Sequence, residues 1–285
     1  MFALRSSPEG SGNTVAAGAR ERTMVGRAGG AWGVVGAAGQ QGGASERGCR
    51  HGPRSFGRCG QFATQRSWKK LLQLLRGRYR VVTYETRARG RSGTSNDYSF
   101  ASNVDDISAV LQATGIRQPV LVGWSYGAAL AVRHAALHPD AVSGIVSIDG
   151  AYPMVPMDQA ERERIRKTWR WMGPLMKVAA AFGLSGRMSA AQAAESNIEL
   201  IDVLSEMAAD YEQICCPVMF VVGTGKHMGA RDEEMQKMRS GINQVVESRS
   251  NVSIFATVPA SHTQILPKHP DTIAAAIDAV VSQAS

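Results

Sequence analysis

No run of apolar residues in this 285-residue sequence approaches the roughly 20 that a membrane-spanning helix needs. No basic start leads into an apolar stretch of signal-peptide length. Both absences predict a soluble, cytoplasmic protein with no membrane partner. Cysteine is scarce: four residues, of which Cys215 and Cys216 are adjacent. Neighbours in an extended strand point to opposite faces, so the cysteines read as buried or incidental thiols, with neither a disulfide framework nor a zinc site expected. Lysine and aspartate are missing from residues 1–60, which hold eight Arg and three Glu and carry +5 of the chain's net +8. The other 225 residues carry only +3, so the basicity belongs mainly to this segment. It lacks interleaved aromatics and any recognisable nucleic-acid module, so no nucleic-acid partner is expected.

Half of the glycines, 15 of 30, also fall in residues 1–60, where apolar residues show neither a period of two nor of 3.6. Such a composition does not repay the entropy of folding, and the segment reads as a disordered or non-native-looking leader. Its one apolar island is AWGVVG, residues 31–36.

From Ser67 onward short apolar runs alternate with amphipathic segments. SWKKLLQLLRG predicts a helix capped by Ser67 and ended at Gly77. Strands are predicted at 79–84, 119–123, 144–149, 217–223 and 252–258. Helices are predicted over 102–115, from Ser125 to about His138, over 232–247 and over 270–283. Continuous apolar strands separated by helices predict an α/β fold, a mostly parallel open sheet covered on both faces. Between Tyr152 and Cys216 the alternation lapses into helical patterns only, with cap pairs at Asp158/Glu161 and Ser189/Gln192. The domain reading is a leader over 1–60, core over 61–150, a helical cap over 151–213, and core again over 214–285.

The run LVGWSYGAALAV puts Ser125 between two glycines, after a strand and before a helix, in the order that a nucleophile elbow requires. A serine hydroxyl is a weak nucleophile and needs a base within reach, itself oriented by a carboxylate. Of six histidines, His51 lies in the leader, His134 and His138 sit along the helix after the elbow, His227 belongs to a Gly-rich loop, and His269 stands at the entry to the last helix. His262, in VPASHTQIL after the last strand, is the candidate base.

With GWSYG, the TRARGRSG loop at 86–93, SIDG after the next strand and ASHTQILPKHPDTIAAAI near the end, the chain from about Ser67 to Ser285 resembles α/β-hydrolase-fold enzymes with a helical cap, in the branch with a serine nucleophile. Serine at the elbow sets it apart from the aspartate branch, which includes haloalkane dehalogenases and epoxide hydrolases. The resemblance implies an esterase-like hydrolase of a small-molecule substrate, with a catalytic triad and no metal or organic cofactor. Where the family usually places the acid, after 217–223, this chain has Lys226, and Asp232 and Glu233 come only later. Asp149, after the strand that follows the elbow, is the first candidate acid, with Asp232 or Glu233 as alternatives. Tyr126 N–H is implied as one oxyanion donor and an amide near Gln61 or Phe62 as the other, although Arg58-Cys59 stands where the family has His-Gly. Trp124 is a candidate substrate-binding residue.

The resemblance also exposes a gap. No apolar strand precedes residue 60 at the usual spacing, so a central slot between the 79–84 and 119–123 strands must be filled, with AWGVVG the one apolar candidate. Residues 1–58 therefore read as an unusual extension or the product of a wrong reading frame. The alternative to an enzyme is a catalytically impaired binder of small molecules on the same scaffold.

Overall fold

In the structure, a computed structural model, the described residues are 30–36, 65–89, 92–181, 186–225 and 232–284. Six strands form one sheet in the order β2-β1-β3-β4-β5-β6: β1 (Gly30–Gly36), β2 (Arg80–Thr86), β3 (Val120–Trp124), β4 (Gly144–Ile148), β5 (Val218–Gly223) and β6 (Val252–Val258). The four strands β3 to β6 run parallel, each joined to the next by helical crossovers. The helices are α1 (Gln65–Leu75), α2 (Phe100–Thr114), α3 (Tyr126–Leu137), α4 (Gln159–Ala181), α5 (Ala190–Gln213), α6 (Asp232–Ser248), the single turn α7 (Ile265–Lys268) and α8 (Pro270–Ala284).

Period-two alternation explains the layering. Leu121, Ile145, Val218, Phe220 and Val222 point to the face covered by α2, α3, α5 and α6. Val120, Val122, Trp124, Val146, Ile148, Met219 and Val221 point to the face covered by α1, α7 and α8. Both faces are buried, which is why these strands read as continuous apolar runs. Across the second layer, Arg78 and Tyr79 both reach Asp278 of α8, Tyr79 at 2.6 Å.

The central slot is filled by β1, which lies antiparallel to both neighbours. Its register runs from Gly30 opposite Thr86 to Gly36 opposite Arg80, and from Gly33 opposite Val122 to Val35 opposite Val120. The apolar island therefore supplies the missing partner for the inner edges of β2 and β3, and the reading of all of 1–60 as a solvated leader does not hold over these seven residues. The rest of that segment lies outside the described residues.

Helix ends follow the sequence with one correction. Gly115 closes α2 in a left-handed conformation, φ 63°, and Ser99 caps its start by accepting from Ser102 N–H. Ser67 does not cap α1, which begins two residues earlier at Gln65. Between β4 and β5 the chain is helical as expected, and both cap pairs form: Asp158 with Glu161, and Ser189 with Gln192 as a reciprocal capping box. α5 packs on α3 and is tied to it by Arg133 and Asp210 at 2.8 Å. α4 packs on α5 through Trp169, Ile165, Met176, Ala193 and Ala194.

Candidate active site

Every residue from Pro119 to Val132 is buried except Ser125. The reason is local. At the end of β3 the backbone turns into α3 within one residue, and Ser125 takes φ 55° and ψ −122°, a conformation that L-residues rarely adopt. Its N–H still donates to Ile148 O at 3.0 Å, which anchors the turn to β4. Two glycines make the turn possible. A Cβ on Gly123 would lie 2.4 Å from Gly127 O, and one on Gly150 would lie 2.5 Å from Ser125 O and 2.7 Å from its Cα. The strained turn is thus pressed between its own helix and the loop after β4.

That same loop holds Asp149, itself at φ 46° and followed two residues later by Ala151 at φ 58°. The Asp149 side chain is 1% exposed. Its Oδ2 lies 2.7 Å from His262 Nδ1, while Oδ1 accepts from Tyr152 O–H at 2.8 Å and from Gly223 N–H at 3.1 Å. A buried carboxylate that already accepts from a hydroxyl and a backbone N–H is held as an acceptor, and its second oxygen favours the imidazole tautomer with the proton on Nδ1. Nε2 then points away from the carboxylate. The indole of Trp124 backs the ring, with centroids 5.1 Å apart and a tilt of 34°.

The arrangement follows from topology. Ser125, Asp149, Gly223 and His262 stand just beyond or at the carboxyl ends of β3, β4, β5 and β6, the edge where open α/β sheets bind ligands. The last residue of β5 contributes a backbone donor to Asp149, and the loop after it packs on the approach to His262 through Gly225 N–H to Ala260 O at 3.0 Å.

Other candidates sort as follows. Asp232 and Glu233 are the first residues of α6; their side chains, like Gln61, Phe62 and His227, lie outside the described residues. Tyr126 opens α3, so its N–H is among the first four that no carbonyl of the helix reaches. Its ring is buried edge-on against Phe100, with Arg89 over its face at 5.1 Å. Trp124 lies beneath the imidazole. It is 4% exposed, packs with the α1 and α8 layer and supports the imidazole from the core. His134 is buried and its pKa is pushed down to about 4, chiefly by burial and then by His138, so it stays neutral. A groove of about 540 Å³ between residues 96–99 and α4 and α5 contains none of the candidates; Arg162 pairs with Asp202 and Arg166 with Glu195 along it.

A family model described as alpha/beta hydrolase fold matches residues 57–176. The structure is similar to that of a thermophilic esterase from Thermogutta terrifontis, with a TM-score of 0.58 and 16% identity, covering 76% of this chain and 85% of that one. An esterase from Exiguobacterium antarcticum gives a TM-score of 0.56 at 16% identity, over 76% and 87%. The chain has the α/β-hydrolase fold. Among curated proteins it is 37% identical to Epoxide hydrolase B of Mycobacterium tuberculosis (strain ATCC 25618 / H37Rv) over 86 residues, which are 29% of this chain and 24% of that protein. The match thus spans about a quarter of that relative's length. The likeness reaches a protein named for the branch from which the elbow serine was expected to separate this chain; position 125 is serine all the same.

Sequence reasoning missed Tyr152 and Gly223 as partners of Asp149. The Asp-Gly-Ala-Tyr spacing carried a signal for the first, because two positive-φ residues bend the chain back so that Tyr152 meets the carboxylate three residues earlier. Burial raises the Tyr152 pKa, and the neighbouring Asp149 charge raises it further, so the hydroxyl remains a donor. Tyr152→Phe removes one of three donors from the carboxylate. The expected result is a kcat about tenfold lower with KM unchanged and a stability loss of about 1 kcal/mol, read by steady-state kinetics and denaturant unfolding. A variant in which KM rises and kcat holds would assign Tyr152 to substrate binding instead.

Proposed function

We propose that this protein is a serine hydrolase that cleaves a small organic ester, lactone, thioester or related acyl or carbon–carbon substrate through an acyl-enzyme. The observation that carries the reading is the 2.7 Å contact between His262 Nδ1 and a buried, triply bonded Asp149, on the same sheet edge as a serine held at φ 55°. Ser125 Oγ attacks the carbonyl carbon as His262 Nε2 takes its proton. Asp149 fixes the ring's tautomer and stabilises the imidazolium. Tyr126 N–H, at the start of α3, donates to the developing oxyanion. The imidazolium returns the proton to the leaving group, which departs as the acyl-enzyme forms. Water, deprotonated by the same imidazole, then attacks the acyl carbon and releases Ser125.

The names of similar proteins, esterases and an epoxide hydrolase, support hydrolysis as the reaction class. The helical stretch over 151–213 acts as the cap that shapes the pocket. Its α4–α5 connection rests on the loop after β2, where Arg187 N–H donates to Ala88 O at 2.7 Å.

A fluorophosphonate probe tests the proposal. Covalent labelling at Ser125, mapped by peptide mass spectrometry, should be rapid in the wild type and lost in His262→Ala. Folded protein that does not label would favour a non-catalytic binder of small molecules.

A further inference from the structure

The outward face of α4 is unlike the rest of the surface. Trp171, Leu175 and Val178 are 82%, 66% and 58% exposed, among the most exposed large apolar side chains in the described residues. Their spacing of four and three residues places them within about 60° of one another around the helix. Exposed Pro174 extends the stripe. The opposite side of the helix, with Ile165, Trp169 and Met176, is already committed to α5. The stripe is therefore not the core-facing side of the helix.

After Glu163 the charge on this helix has one sign. From residue 164 to residue 181 the sequence holds Arg164, Arg166, Lys167, Arg170 and Lys177 and no acid. Arg166 turns towards Glu195 and Glu163, whereas Lys167, Arg170 and Lys177 are exposed beside the apolar stripe. We propose that α4 docks on an anionic lipid surface, with Trp171, Leu175 and Val178 entering the headgroup boundary and the cations facing the lipid phosphates and carboxylates. An exposed tryptophan with aliphatic neighbours, flanked by Lys and Arg, has the composition of the membrane-facing side of an interfacial helix. A second copy of the chain fits poorly, because like faces would bring cations together around the buried stripe. Nucleic acid would match the cations but give the apolar side chains nothing to bury against. Among the described residues no helix is long and apolar enough to cross a membrane, so the association is peripheral. It does not depend on the proposed chemistry.

The test is cosedimentation of the full chain with phosphatidylcholine vesicles with and without about three-tenths phosphatidylserine, at low and high salt. The expected result is binding to the anionic vesicles at least about tenfold tighter than to the neutral ones, falling with salt. Trp171→Ser and Leu175→Ser, both at exposed sites, should each bind about tenfold more weakly, and Lys167→Glu with Arg170→Glu should erase the preference for phosphatidylserine. Tryptophan emission should shift to the blue on anionic vesicles in the wild type and much less in Trp171→Phe. No vesicle binding, equal binding by the Trp171 and Leu175 variants, capture of polyglutamate but not vesicles, or a wild-type dimer that these variants lose would each overturn the proposal.

Discussion

Ser125→Ala is expected to lower kcat on a short-chain p-nitrophenyl ester by about 10⁶-fold, leaving only the weak acceleration that positioning and oxyanion donors give. The loss is a chemical one. Alanine has the Cβ that serine has, so the turn at φ 55° bears no new strain and the N–H bond to Ile148 O is kept. Unfolding curves should therefore overlay those of the wild type while turnover disappears. Retention of more than about one-tenth of the activity would remove Ser125 from the reaction.

Asp149→Asn should cost about 10⁴-fold in kcat, and the reason can be read from the hydrogen bonds. Tyr152 O–H and Gly223 N–H both donate to the Oδ1 position, so the asparagine carbonyl oxygen must take that place. Its NH₂ group is then left facing His262 Nδ1 at the 2.7 Å contact. A donor there forces the imidazole into the tautomer with its proton on Nε2, and that nitrogen can no longer accept the serine proton. Size and packing are conserved, so KM should change little. Activity within about tenfold of wild type would transfer the acid's role to another carboxylate, with Asp232 and Glu233 the ones to replace next.

Much of this was legible before any coordinates. The alternation of buried strands and helices, the glycines either side of Ser125 and the position of His262 after the last strand each encode local geometry, and local geometry is what short spacings report. The unreadable parts are those fixed by distant partners. Seven residues in a Gly-rich segment become β1 because β2 and β3 present unpaired edges to them, and nothing in GAWGVVG states that the strand runs antiparallel. Asp149 could be ranked above Asp232 only by position, since its three donors come from residues three and more than seventy positions away. The burial of Trp124 follows from a simpler reason. It alternates with Val120 and Val122 on a strand buried on both sides, and counting by twos assigns it to the α1 and α8 layer.

The glycine pressed against the serine's backbone has one more consequence. Ser125 and Asp149 are welded through neighbouring central strands, whereas His262 arrives on the loop after β6, an edge strand among the described residues, paired there with β5. Sheet margins fray at lower cost than centres. Mild heat or denaturant should therefore separate the imidazole from an intact hydroxyl–carboxylate pair, silencing the protein reversibly while its spectroscopic signature of folding persists.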